Sequence, residues 1–405
     1  ACLVRHGAPE GVPVSSFRYV TTAHRVFAGD DALARLGVEA ERLRAERVLV
    51  VTGRSLGRDE GVRRRVEESL GSRLAAWYAE AEKDSTYTSV SAATEAGREA
   101  GADLIVAIGG GSVIVAARAV AIFLGESGSP FDLMTQYPEG KPAYSPRLEA
   151  PKPPIINVPT TPTTAMNRAG TGLKNDDLDH RMEYFDPKTR PTSLIWDTVL
   201  IEATPLDVYR SAATTLFTGA AMGLGELGHN PLADGDRLQA FRLAMRSYPA
   251  LGTAEDGAGP RMDLMTAAYL QNRIGDVAAG TGGLRVRGHA YALATALHLL
   301  YHHIGQGEAT AIMTRAVLEL FPPDSEVLGP MAEEFGVLAT GQAIAERLAE
   351  VYAGAGLPMR LRDLDVPRGD FEEIAAATQK NFNANPGERD PRQVEEMLRL
   401  LDHAW

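Results

Sequence analysis

The stretch ADLIVAIGGGSVIVAARAVAIFL, residues 102–124, decides the fold. Leu104 to Ile108 is an unbroken apolar run, which predicts a buried strand. Gly109, Gly110, Gly111 and Ser112 follow, and then a long Ala/Val-rich segment that reads as a helix. A strand turning into a helix through glycines leaves free backbone N–H groups at the positive end of a helix dipole. Such a turn cradles an anion, and Ser112 adds a hydroxyl. It is not the G-x-G-x-x-G of a standard dinucleotide fold, and it lacks the lysine of a phosphate loop.

Working outward, RVLVVTG (Arg47–Gly53) and PIINVPTT (Pro154–Thr161) predict two more strands. RDEGVRRRVEESLGSRLAAWY reads as one charged amphipathic helix, and SVSAATEAGREAGA as another. PTSLIWDTVLIEATP closes this half, after a polar, Pro-rich excursion at 125–153. Strand–helix alternation implies a mainly parallel sheet covered by helices. After Pro205 the patterns are almost all helical, from DVYRSAATTLFTGAAMGLGEL to PRQVEEMLRLLDHAW. The expected organisation is an α/β nucleotide-binding domain over 1–204 and an all-helical domain over 205–405. The active site is expected in the cleft between them.

The chain has 405 residues, 44% hydrophobic and 23% charged, with a net charge of -12. That balance argues against a nucleic-acid surface. Cys2 is the only cysteine, which excludes an internal disulfide and a thiolate metal cluster. No apolar run reaches membrane-spanning length, and ACLVRHGAPEGVPVSSF has no sustained apolar core. A cytoplasmic protein acting on a small molecule is expected.

NVPTTPTTAMNRAG (Asn157–Gly170) brings Thr160, Thr161, Thr163 and Thr164 to a strand end, where open α/β sheets bind ligands. With the glycine turn it forms the second wall of a nucleotide site. Here the sequence resembles the iron-containing alcohol dehydrogenase family. FRYVTTAHRVFAGDDALARL, RVLVVTG, AGADLIVAIGGGS, IINVPTT and PTSLIWDTVL occur in that family's order, and NPGERDPRQVEEMLRLLDHAW resembles its ending. The resemblance implies a two-domain fold related to glycerol dehydrogenase and dehydroquinate synthase. It also implies a dimer, with NAD(P) in the cleft.

The resemblance also marks departures. The family holds a divalent metal through an Asp and a His one turn apart, plus two later histidines. Here the first pair falls on Thr214 or Thr215 and on Thr218 or Gly219, and Ala292, Ala296 and Gln306 stand where the later histidines would be. The Asp of GGGS-x-x-D is Val115, and the Lys after it is Arg118. The maleylacetate reductase branch also lacks that Asp and carries H-A-E-T-H, of which QGEATAI keeps the glutamate, Glu308. No metal is expected. Histidines 298 and 302, spaced i, i+4 on what reads as one helical stretch, are the alternative ligands.

Without metal, a side chain must polarise the carbonyl and another must supply the proton. Arg181 aligns with a family lysine near the nicotinamide and is a candidate for cofactor or substrate contact, with His180 beside it. Arg168 is placed for a substrate carboxylate. His289, His298, His302, His303, Gln306 and Glu308 form the proton-donor pool. The strand VLVVT continues from Thr52 into Gly53, Arg54 and Ser55, where relatives that prefer NAD carry an Asp, so NADPH is favoured over NADH. The expected function is a metal-independent NAD(P)H-dependent carbonyl reductase, its substrate unassigned and carboxylate-bearing in the reductase-branch comparison. A metal-dependent dehydrogenase with displaced ligands is one alternative. A non-redox lyase or cyclase, or a silent binding protein, is the other.

Overall fold

Strands buried on both faces of a parallel sheet must be apolar throughout, and this is how the central ones read. In a computed structural model, which describes Phe17 and residues 19–274, 284–381 and 391–405, β1 (Arg25–Gly29), β2 (Val48–Gly53), β3 (Leu74–Ala81), β4 (Leu104–Gly109), β5 (Ile155–Pro159) and β8 (Ser193–Asp197) form one sheet. Its order is β1-β8-β5-β4-β2-β3, and every pairing is parallel. β4 is central, with Val51 opposite Ala107 on one side and Ile108 opposite Val158 on the other. β6 (Gly170–Leu173) and β7 (Met182–Phe185) make a separate antiparallel hairpin.

Two expectations change. Arg58 to Tyr78 is not one helix: a helix spans Glu60–Leu70, capped by Asp59, and the chain then enters β3. β3 is an edge strand paired only with β2, so it is half-exposed, and its Ala-rich run LAAWYA reads as a continuation of the helical pattern before it. The β6–β7 hairpin also went unread, because its strands have four residues each.

From Leu206 onward the described elements are helical, among them Leu206–Gly223, Pro231–Ser247, Ala258–Arg273, Leu284–Leu300, Gln306–Leu320, Gly341–Gly354 and Pro391–Ala404. The parts of the reading over 1–16, 275–283 and 382–390 lie outside the described residues. One core fills the helical half and takes in Met166, Leu194 and Trp196 from the sheet side. Two further cores lie on the sheet's faces. Trp196 of β8 meets Tyr269 of the Ala258–Arg273 helix edge-on at 5.9 Å, so the two halves pack directly. Among the described residues, no helix is long and apolar enough to cross a membrane.

Candidate active site

β4 ends at Gly109 with φ +154°, a conformation that favours glycine, and the Gly111–Gly125 helix starts two residues later. A Cβ on Gly109 would stand 2.8 Å from Val113 Cγ2, and one on Gly111 would stand 2.8 Å from Thr163 Oγ1. The glycines therefore let the Thr loop close against the turn. Thr160 N–H donates to Gly109 O at 3.0 Å, and Thr204 Oγ1 donates to Thr160 O at 3.1 Å. Thr161 Oγ1 is buried without a hydrogen-bond partner, facing Gly110 across 3.6 Å to where a Cβ would be. Thr164 is half-buried. The bare helix start and the orphaned hydroxyl fit a diphosphate.

Arg118 supports this loop from beneath. It is 1% exposed and donates to the carbonyls of Ala165 and Gly170. Burial, with the charges of Arg168 and Arg190, lowers its pKa to about 9. The guanidinium thus fixes the Thr loop and the start of β6, which a shorter lysine could not do in the same bidentate way.

At the end of β2, Thr52 is buried and its Oγ1 accepts from Trp77 Nε1 at 3.1 Å, while Gly53 opens the edge and Ser55 is exposed. Arg54 is also exposed, and it pairs with Glu80, with Glu82 Oε1 at 3.8 Å. Two carboxylates therefore flank the cation that the sequence reading offered to a 2′-phosphate.

The helix Leu206–Gly223 carries both pairs that the resemblance sets at the family's first two metal-ligand positions, Thr214 or Thr215 and Thr218 or Gly219. Thr214 and Thr218 face the core. Their hydroxyls donate to Arg210 O and Thr214 O, both at 2.8 Å, and accept from Tyr248 OH at 2.7 Å and Tyr352 OH at 2.6 Å. Burial pushes both tyrosines well up. The half-buried stripe is instead Ser211, Thr215 and Gly219, one helical turn apart. Beside Gly219, Gln271 Nε2 lies 2.0 Å from where a Cβ would stand, and Gln271 Oε1 is buried without a partner. Ala292 and Ala296 are buried and apolar, and Gln306 opens the Gln306–Leu320 helix. A hydroxyl, a glycine, a methyl and an amide are not a divalent-metal donor set. Among the described residues, no three of His, Cys, Asp and Glu converge as metal ligands.

The predicted histidines scatter. The Leu284–Leu300 helix ends before His302, so His298 and His302 do not share a helix face as the i, i+4 spacing suggested. Tyr301 N–H closes the last turn on Leu297 O, and the chain then turns through Ile304 to Gly305. His289 Nε2 binds Glu396 of the Pro391–Ala404 helix at 2.7 Å. His303 Nε2 donates to Leu364 O at 2.9 Å. His180 pairs with Asp179 at 2.7 Å, and Arg168 is exposed. His302 is exposed and accepts at Nε2 from Lys174 Nζ at 2.9 Å. His298 is buried, with Nε2 2.5 Å from Asp84 Oδ1 and Nδ1 3.0 Å from Ile304 O.

Asp84 had no sequence signal beyond its place in EKDSTY. Burial would raise its pKa, but the hydrogen bond from His298 and the charges of His298, Lys83 and Arg181 hold it below the ordinary carboxylate value. Arg181 is half-buried beside it on the β6–β7 hairpin. Glu308 lies at the start of the Gln306–Leu320 helix. Its Oε2 accepts from Ser211 Oγ at 2.9 Å, and Ser211 Oγ accepts Gly307 N–H at 3.2 Å. Structure thus brings Ser211 and Glu308 together, with Gln306 placed at the start of the same helix as Glu308, and disperses the histidines.

Known proteins place this arrangement. Residues 23–198 match the family described as iron-containing alcohol dehydrogenase. The chain is 24% identical over 394 residues to the 1,3-propanediol dehydrogenase of Citrobacter freundii, covering 92% of this chain and 96% of that one. It is 24% identical over 395 residues to the maleylacetate reductase of Sphingobium indicum, covering 96% and 97%. Among solved structures, the sulfoacetaldehyde reductase of Bifidobacterium kashiwanohense in complex with NAD+ superposes with a TM-score of 0.73 at 20% identity, covering 95% and 98%. With the parallel sheet, the glycine turn and the helical second half in place, the α/β half of the chain carries the iron-containing alcohol dehydrogenase match, and the protein is an oxidoreductase acting on CH–OH or carbonyl groups.

Proposed function

We propose that this protein is an NAD(P)H-dependent carbonyl reductase that works without a bound metal. The observation that carries this reading is the glycine–threonine cradle; it is supported by the resemblance, which sets Thr214 or Thr215, Thr218 or Gly219, Ala292, Ala296 and Gln306 where the family has its metal ligands. Gly109 to Ser112, with Thr160 and Thr161, would hold the coenzyme diphosphate. The Glu80 and Glu82 carboxylates beside Arg54 would accept from the ribose hydroxyls, which turns the preference towards NADH. A bound nicotinamide nucleotide supplies the hydride.

Protein side chains then replace the metal's polarising role. Thr215 and Gln306 offer a hydroxyl and an amide N–H to the carbonyl oxygen. As that oxygen gains charge, the Ser211–Glu308 pair would supply its proton, Ser211 Oγ giving up its hydrogen and recovering one from solvent by way of the Glu308 carboxyl. Arg181 stands at the hairpin for an anionic substrate group. A small-molecule carbonyl compound and a homodimer complete the proposal.

The test joins three measurements on purified protein: NADH and NADPH binding by fluorescence, metal content, and reduction of an aldehyde and ketone panel with and without chelator. Nucleotide binding with chelator-insensitive turnover is expected. Stoichiometric iron or zinc in active enzyme would overturn the metal-free part. Failure to bind either nucleotide would favour the non-redox reading.

A further inference from the structure

His298 occupies the last turn of the Leu284–Leu300 helix and is 8% exposed. Its two ring nitrogens face a backbone carbonyl, Ile304 O, and a carboxylate oxygen, Asp84 Oδ1. Both partners accept from the ring, so both nitrogens carry protons when both bonds are made. A neutral imidazole has only one N–H to give. It would turn a lone pair either to Ile304 O or to Asp84.

The same contact links the two halves of the molecule. Asp84 and Ser85 lie in a left-handed turn, with φ +65° and +51°. Asp84 N–H donates to Ser112 Oγ at 3.1 Å, and Ser85 Oγ donates to Ser112 O at 2.7 Å. The turn therefore holds the last residue of the glycine loop through its backbone and Ser85, and holds His298 through the Asp84 carboxylate. At the other end, Ile304 precedes Gly305 and the start of the Gln306–Leu320 helix. A chain of four residues, Ser112, Asp84, His298 and Ile304, runs from the coenzyme loop to the helix that carries Gln306 and Glu308.

We propose that His298 and Asp84 form a proton-held link that positions the Gln306–Leu320 helix against the glycine loop, closed when His298 carries both ring protons and released when it loses one. His298 is thus a positioning residue rather than a proton donor to substrate. Its consequence for coenzyme affinity rests on the reading of the glycine loop given above.

Other groups face the pair. His302 Nδ1 is 3.9 Å from Asp84 Oδ2, and the charges of Lys83 and Arg181 act on Asp84. Lys83 Nζ donates to His302 O at 2.5 Å, and Lys174 binds His302 and Asp176. Of these residue types, histidine is the one that changes charge around neutral pH, so the link responds there.

The test reads the whole chain in two ways between about pH 5 and pH 8, the span over which a histidine side chain changes charge. The first is hydrogen-exchange protection of segments 84–86 and 304–308 without coenzyme, corrected for intrinsic exchange. The second is NADH affinity by fluorescence. In the native protein, protection of both segments falls together as pH rises, and NADH affinity falls by about fivefold or more, the usual lower bound for coupled sites. Asp84→Asn and His298→Gln flatten both profiles. A native protein whose protection does not change with pH overturns the link, as does an Asp84→Asn profile parallel to the native one. If His302→Asn rather than His298→Gln removes the pH response, the assignment to His298 is wrong. If NADH fails to bind at any pH while protection still responds, the coenzyme reading fails and the link stands.

Discussion

The side-chain amide of Gln271 fills the space beside Gly219, with Nε2 2.0 Å from the point a Cβ would occupy. Gly219 leaves this face of the helix without a side chain, and a neighbour fills the gap. A small addition is absorbed: Gly219→Ala gains about 1 kcal/mol of helix propensity and displaces only the end of a flexible side chain. A ring is not. Gly219→His overpacks the site and costs about 1–3 kcal/mol, most of it recovered by adding Gln271→Ala. Urea unfolding of the two single variants and the double variant measures this, and equal losses with and without Gln271 would refute it.

Gly109→Ala strains the turn twice, through its left-handed backbone and through Val113 Cγ2 at 2.8 Å. Stability falls by about 1–3 kcal/mol, as for a strained backbone position. NADH affinity falls by about tenfold, equivalent to about 1.4 kcal/mol, because the N–H groups of the cradle no longer converge. Nucleotide titration checks this, and unchanged affinity in a folded variant would remove the glycine turn from the coenzyme site.

The Thr214–Tyr248 pair predicts a stability effect independent of any substrate. Thr214→Val keeps the shape and leaves the Tyr248 hydroxyl buried without its acceptor, at a cost of about 1–3 kcal/mol. Thr214→Ser should restore most of it. Thermal melts of the three proteins decide the matter.

Glu308→Gln keeps the hydrogen bond to Ser211 but cannot supply a proton. Once a reducible carbonyl is found, kcat should fall by about 10²–10⁴-fold, the usual worth of a positioned acid, with little change in KM. A variant within about twofold of native kcat, against that expected range, would move the proton source elsewhere.

Glu39 gives a pH prediction with a definite sign. Burial would raise its pKa, but hydrogen bonds from Ser193, Arg42 and Arg25 win and lower it below 4.5. Its stabilising contribution is present above that ordinary value and is lost as pH falls through the lowered one. Glu39→Gln should therefore cost about 3 kcal/mol at neutral pH, as for a broken buried pair, and progressively less in acid. A destabilisation that does not shrink in acid would contradict it.

The fold was legible because its central strands have no alternative. LIVAIG and IINVP must be buried on both faces, and only a parallel sheet covered by helices does that. The glycine turn, the Thr loop and the helical second half followed from local pattern. β3 was lost because its Ala-rich run LAAWYA carries on the helical pattern before it, and the His298–His302 spacing misled because the helix stops at Leu300.

The sequence by itself determined that a glycine-rich turn follows the buried strand β4 and opens a helix, the arrangement that cradles an anion. Which residues face one another was left to tertiary structure. Only packing turns Thr214 and Thr218 into the core and leaves Thr215 and Gly219 on the half-buried stripe. Only packing brings Asp84 to His298 across 214 positions of sequence, places Ser211 on Glu308 and ties Arg54 to Glu80. The reason is physical: helix and strand periodicity are set by neighbours a few positions away, whereas a site is made by contacts between elements whose register no local pattern encodes.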